Sequence, residues 1–168
     1  RVQPRRELLE QIRAVLERHA GDAGIVYAIS RKEVERIDAA LRRAGARSVA
    51  YHAGLDPEVR RRAQEAFANE EVDVVVATVA FGMGIDRTDV RFVLHAALPK
   101  GLEQYSQETG RAGRDGLPAE CVLFHSGADF FSWKSLIERS HEEARAAGES
   151  PDPAALQALH AYLARFWD

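Results

Sequence analysis

The chain has 168 residues, 46% of them hydrophobic, a formal net charge of −3 and a single cysteine, Cys121. That length suits one domain with its own core and a short appendage, and the slightly acidic balance means that any contact with nucleic acid must come from local patches. One cysteine excludes an internal disulfide and a Cys-based zinc site, the six histidines show no metal-ligand spacing, and neither a signal peptide nor an apolar run long enough to cross a membrane is seen.

Taken in chain order, residues 5–20 read as an amphipathic helix, with Leu8, Leu9, Ile12, Val15 and Leu16 on one stripe. Residues 24–29 form a continuous apolar run, the mark of a strand buried on both faces of a parallel sheet. Ser30 opens a second helix, with Glu33 at capping-box spacing, Val34, Ile37 and Leu41 as its buried stripe and Gly45 as its stop. Residues 48–51 are a short strand. Asp56-Pro57 is an N-cap followed by proline, and the helix it starts is expected to carry Val59, Ala63, Ala66 and Phe67 inward.

Residues 72–78 have the strongest strand pattern, residues 90–95 give another strand, 102–109 a helix and 120–125 a last strand. Residues 129–143 read as a helix with Asp129 at its N-cap. Residues 148–153 read as a linker, and from Ala154 an amphipathic helix carries Leu156, Leu159, Leu163 and Phe166. That apolar helix runs to the end without a cap, as expected of a truncated chain or of a helix that a partner covers, truncation being the favoured reading. Strands alternating with helices predict an α/β fold, a parallel sheet with helices on both faces. Ligands of such sheets bind beyond the carboxyl ends of the strands, so the loops after Ile29, Ala77 and His95 are expected to share one binding edge.

Four segments carry chemistry. Residues 107–116 read Gln-Glu-Thr-Gly-Arg-Ala-Gly-Arg-Asp-Gly. Arg111 and Arg114 stand among small residues, and a guanidinium fork fits phosphate oxygens. The stretch is either a solvated turn or a loop that presents arginine to a nucleotide held elsewhere. Residues 77–86 follow the strongest strand, with Gly82 and Gly84 permitting a tight turn at the binding edge, Asp86 able to accept from ribose hydroxyls and Thr78 able to donate to a phosphate. The same stretch also reads as a packed turn with Asp86 as a helix cap. Ser30-Arg31 pairs a hydroxyl and a guanidinium at a helix N-terminus, where capping and phosphate binding are compatible. Tyr51-His52-Ala53-Gly54 follows the strand over residues 48–51 and is able to line the same edge, although locally it reads better as a turn with a solvent-facing histidine. Arg42-Arg43 and Arg60-Arg61-Arg62 read as solvated helix faces. The sequence contains no Gly-x-x-x-x-Gly-Lys-Ser/Thr phosphate loop and no acidic pair clearly placed for Mg²⁺. An arginine loop without a nucleotide cradle looks like half of a composite site.

Residues 24–31, 51–55, 76–86 and 107–116 occur in the order and spacing of the second RecA-like domain of superfamily 2 helicases, and together they closely resemble the RecQ family of DNA helicases. The resemblance covers about residues 5–140. Ala-Thr-x-Ala-Phe-Gly-Met-Gly-Ile is its most specific stretch. The chain departs from the pattern at Ala28-Ile29, where many relatives have Cys-Asn. The resemblance implies a RecA-like motor domain over residues 1–140 and the start of a helical, zinc-binding region over 141–168, with the zinc ligands beyond Asp168 and no metal assigned within the chain.

The resemblance also implies roles. Arg114 matches an arginine finger, Arg111 its companion, and Gln107, Gly84 and Asp86 the ATP side. Ser30, Arg31, His52 and Thr78 match positions that touch single-stranded DNA. The implied activity is ATP-dependent, 3′-to-5′ unwinding of single-stranded or forked DNA, with ATP and Mg²⁺ held mainly by a first RecA-like lobe of the same protein. No membrane partner is implied, and the expected setting is a bacterial cytoplasm in association with the nucleoid, or the nucleus of a eukaryotic source, with the bacterial one favoured. The fragment alone is expected to be inactive. A DEAD-box RNA helicase half, and a non-enzymatic interaction domain of helicase-like fold, are the alternatives.

Overall fold

A computed structural model describes residues 1–78 and 87–148, together with Ala154, Gln157 and Ala161, which are helical. Its elements in chain order are β1 (Val2–Pro4), α1 (Leu8–Arg18), β2 (Ala23–Tyr27), α2 (Arg31–Arg43), β3 (Ser48–Tyr51), α3 (Pro57–Ala68), β4 (Val74–Ala77), β5 (Val90–His95), α4 (Leu102–Thr109), β6 (Glu120–His125) and α5 (Ala128–Ala146). The six strands form one sheet in the order β1-β6-β5-β2-β4-β3, and every pairing is parallel.

The apolar runs become strands because both faces are covered, as a parallel sheet requires. On one face Ile12 and Val15 of α1 and Val34, Ile37 and Leu41 of α2 pack on Val26, Val76, Phe92, Leu94 and Val122. On the other, Ala63 and Phe67 of α3 pack on Ile25, Tyr27, Val75 and Val93. Trp133 and Ile137 of α5 close a smaller cluster over Leu98 and Leu123. Each fully buried aliphatic side chain of this kind contributes about 1.5–3 kcal/mol.

Four expectations change. β1 was not foreseen: Leu123 N–H donates to the Arg1 carbonyl and Arg5 N–H to the His125 carbonyl, which zips the three residues onto β6. The first helix therefore starts at Leu8 rather than at residue 5. Gln11 reaches back, accepting from Arg6 N–H at 3.0 Å and donating to the Pro4 carbonyl at 3.0 Å, so the chain turns before the helix begins. Val59 is 47% exposed, since only the later turns of α3, at Ala63 and Phe67, reach the sheet. Asp129 is not the cap of α5. Gly127 holds that position, and the buried Asp129 carboxylate pairs with Arg5 at 2.7 Å and accepts from the N–H groups of Leu98 and Ser126. Arg42, Arg43, Arg61 and Arg62 are solvated as expected, Arg42 pairing with Asp38, Arg61 with Glu58 and Glu65, and Arg62 with Glu58, whereas Arg60 is half-buried, with an Nε that is out of solvent and has no hydrogen-bond partner among the described residues.

Candidate phosphate-facing site

Tyr27, Ala77 and Tyr51 are register partners across β2, β4 and β3, so these strands end level. Thr78 N–H donates to the Tyr51 carbonyl at 3.3 Å. Ser30-Arg31, Thr78 and His52 therefore leave the sheet side by side along its carboxyl edge, as expected.

Ser30 caps α2, its Oγ accepting from Glu33 N–H at 3.2 Å. Only half of the capping box forms, because the Glu33 carboxylate is taken by Arg36 at 2.7 Å. The cap uses Ser30 Oγ as an acceptor, so its O–H remains able to donate to an anion. Arg31 is exposed, has no carboxylate partner among the described residues, and lies across Gly54. His52 differs from the local reading: it is 3% exposed rather than solvent-facing. Its Nδ1 accepts from Gly54 N–H at 3.2 Å, and its Nε2 lies 3.0 Å from Glu35 Oε1. With Nδ1 accepting, Nε2 carries the proton and donates. Both ring nitrogens are thus engaged in holding the turn under Arg31.

The arginine loop lies elsewhere, on the sheet face over β2 and β5. Gly113 N–H donates to the Val90 carbonyl at 2.9 Å, and Ala112 packs into the cluster around Tyr27 and Val93. Gly113 has a φ of +63°, and a side-chain carbon there would meet the Leu117 carbonyl at 2.8 Å, so only glycine fits the turn. Arg91, at the start of β5, clamps the far end of the loop. It donates to both Asp115 carboxylate oxygens at 2.5 and 2.6 Å and to the Pro118 carbonyl at 3.0 Å. These hydrogen bonds from Arg91 hold the Asp115 carboxyl below the usual carboxylate range.

Arg114 is exposed, with Nε–H donating to the Gly110 carbonyl at 3.1 Å and no carboxylate partner among the described residues. Arg111 is half-buried, its Nε has no hydrogen-bond partner among the described residues, and its guanidinium faces the Tyr27 hydroxyl. Burial raises the Tyr27 phenol far above its ordinary value, the Glu108 carboxylate adds to the rise, and Arg111 opposes it. Gln107 is exposed on α4. Gly84 and Asp86, expected on the ATP side, lie outside the described residues. Among the described residues no group of His, Cys, Asp and Glu is placed to hold a metal ion, and no helix is long and apolar enough to cross a membrane.

Four residues around the arginine loop escaped sequence reasoning: Arg91, Tyr27, His95 and Glu108. The last three lie beneath it, His95 2% and Glu108 5% exposed. Their one signal is that Tyr27 and His95 put polar tips at the ends of otherwise apolar strands.

Residues 6–116 match the family described as Helicase conserved C-terminal domain. The chain is similar to the ATP-dependent DNA helicase RecQ of Bacillus subtilis (strain 168), at 55% identity over 123 residues, which is 73% of this chain and 21% of that protein. It is also similar to the helicase of the same name from Haemophilus influenzae, at 50% identity over 133 residues, 78% of this chain and 21% of that protein. The chain thus spans 21% of the length of these curated relatives. In fold it is similar to the C-terminal domain of the DEAD-box protein Dbp5, with a TM-score of 0.64 at 19% identity, over 84% of this chain and 83% of that one. At that identity the likeness is one of fold, a RecA-like parallel sheet flanked by helices. With the arginine loop seated on that sheet and the family match running from residue 6 to residue 116, the chain belongs to the helicase conserved C-terminal domain family, and RecQ DNA helicases are among its relatives.

Proposed function

We propose that this chain is the C-terminal motor half of an ATP-dependent DNA helicase that moves 3′ to 5′ on single-stranded DNA. The observation that carries the proposal is an uncompensated arginine pair on a fixed loop. Arg111 and Arg114 have no carboxylate partners among the described residues, while Gly113 and Asp115 are tethered to β5. Elsewhere on the surface, Arg36, Arg47 and Arg61 are neutralised by carboxylates. Leaving two cations unpaired on a rigid support suits a site awaiting a phosphate chain. The 55% and 50% identity to proteins named RecQ DNA helicases supports DNA as the track.

These residues fit the phosphates of ATP and do not fit Mg²⁺, which needs a carboxylate from a first lobe of the same protein. ATP supplies the phosphoryl group whose transfer to water powers the cycle. Arg114 stabilises negative charge on that group, and Arg111 holds the loop and adds a second positive charge. Gln107 is assigned to the same nucleotide side, as are Gly84 and Asp86. Ser30 and Thr78 donate to phosphates of the tracked strand, Arg31 supplies charge, and His52 holds the turn beneath Arg31.

The test uses the full-length parent protein, wild type against Arg114→Ala. DNA-stimulated ATP turnover is expected to fall by about 10³-fold, toward the low end for arginine fingers, with ATP affinity largely kept. Unchanged turnover would return Arg114 to a structural loop role and sink the proposal.

A further inference from the structure

Beneath the arginine loop lies a buried polar cluster to which the motor proposal gives no task. Tyr27 ends β2 and His95 ends β5, and the two are register partners. Their rings stack at 5.3 Å between centroids, and Tyr105 lies 4.9 Å from His95. His95 Nε2 is 2.7 Å from Glu108 Oε2, and the other Glu108 oxygen accepts from Gln104 Nε2 at 2.9 Å. Glu108 also accepts, through its carbonyl, from Arg111 N–H at 3.3 Å. The Tyr27 hydroxyl has the Glu108 carboxylate and the Arg111 guanidinium as charged neighbours.

Burying a carboxylate is expensive even when it is paired, and an apolar layer of equal volume would often pack here at least as stably. What a buried polar cluster adds is direction, since each member accepts only particular partners in particular places. Here it meets Arg111 at the guanidinium, through the Tyr27 hydroxyl, while Ala112 of the same loop packs against the cluster around Tyr27. The strands that carry Tyr27 and His95 run directly on into Ile29-Ser30 and Ala96-Leu98. The carboxyl edge and the arginine loop therefore share one buried anchor.

We propose that Tyr27 and Glu108 are positioning residues for the arginine loop, linked by His95, and that they tie the strand ends at the DNA-facing edge to Arg111. The inference rests on the motor reading above. It gives coupling between DNA and nucleotide a route carried by side chains that touch one another.

The experiment compares Tyr27→Phe, Glu108→Gln, their double variant and Arg114→Ala in the full-length parent protein. Both single substitutions preserve shape. Each is expected to lower kcat for ATP hydrolysis stimulated by single-stranded DNA by about tenfold or more, as small misplacements of catalytic groups do. KM for ATP, affinity for an oligonucleotide without nucleotide, and Tm are expected to stay near wild type. The double variant is expected to be no slower than the slower single, as for residues that act as one unit. Wild-type kcat in both singles, with Arg114→Ala inactive, overturns the positioning inference and leaves the motor reading standing. Wild-type turnover of Arg114→Ala overturns the motor reading and this inference with it. Loss of kcat only in step with Tm and DNA affinity assigns the cluster to folding and overturns the inference alone.

Discussion

Gly24 and Phe92 are register partners in β2 and β5, and the Phe92 ring occupies the space where a side chain at Gly24 would begin. Phe92 is fully buried, with the His19 ring 5.3 Å away, so it has little room to retreat. Gly24→Ala is therefore expected to destabilise by about 1–3 kcal/mol, the range for overpacking a dense core, read as a lowered urea midpoint. Phe92→Leu opens the space, so the double variant should lose less than the sum of the singles. Additive losses would show that the ring is not the obstacle. Sequence alone placed both residues on buried strands, because apolar runs report burial. It could not say that they face each other, because register depends on which strands pair. The same limit hid the cluster beneath the arginine loop. Glu108 sits among Gln107, Thr109, Gly110 and Arg111, company that suggests solvent, and only the docking of α4 against His95 buries it.

Local signals were most legible where one residue type does one job. Asp56 caps α3 ahead of Pro57, accepting from Glu58 N–H at 2.8 Å, and β3, β5, α4 and β6 fall where their patterns put them. β1 was not legible, since three residues containing a proline have no period of their own and become a strand only by pairing with β6. α2 poses the sharper question, because Ser30 is both its cap and a proposed phosphate donor. Two substitutions separate those tasks. Ser30→Ala removes the cap and is expected to cost about 1 kcal/mol. Ser30→Asp keeps a capping acceptor but adds negative charge, so stability should stay within about 0.5 kcal/mol of wild type, while affinity for single-stranded DNA falls at least as far as in Ser30→Ala. Urea denaturation and fluorescence polarisation with a labelled oligonucleotide read the two effects. Undiminished DNA affinity in Ser30→Asp would confine Ser30 to capping.

At the scale of the whole chain, charge decides what the domain can do alone. The formal net charge is −3. Many surface arginines are already committed to carboxylates, as with Arg18 and Glu120, Arg36 and Glu33, or Arg47 and Asp73. At the carboxyl edge Arg31 has no carboxylate partner among the described residues, and the proposed phosphate grip consists of Arg31 with the Ser30 and Thr78 hydroxyls. A grip of two or three phosphates releases few counterions, so log affinity for single-stranded DNA should fall against log salt with a slope of about −1.5 to −2. Binding should also be weak near physiological salt. The sequence contains no phosphate loop, and the described residues contain no acidic cluster for Mg²⁺. The isolated chain is therefore expected to hydrolyse no ATP above an Arg114→Ala control, with or without DNA. Polarisation titrations between 50 and 200 mM KCl and a coupled ATPase assay on the purified chain test both expectations, the first reading a slope over a salt range in which such contacts are screened. A slope near zero with tight binding would mean that aromatic or apolar contacts hold the strand in place of the phosphate grip. Turnover above the control would mean that this domain carries a nucleotide cradle of its own, and Arg114 would then act within one lobe rather than across two.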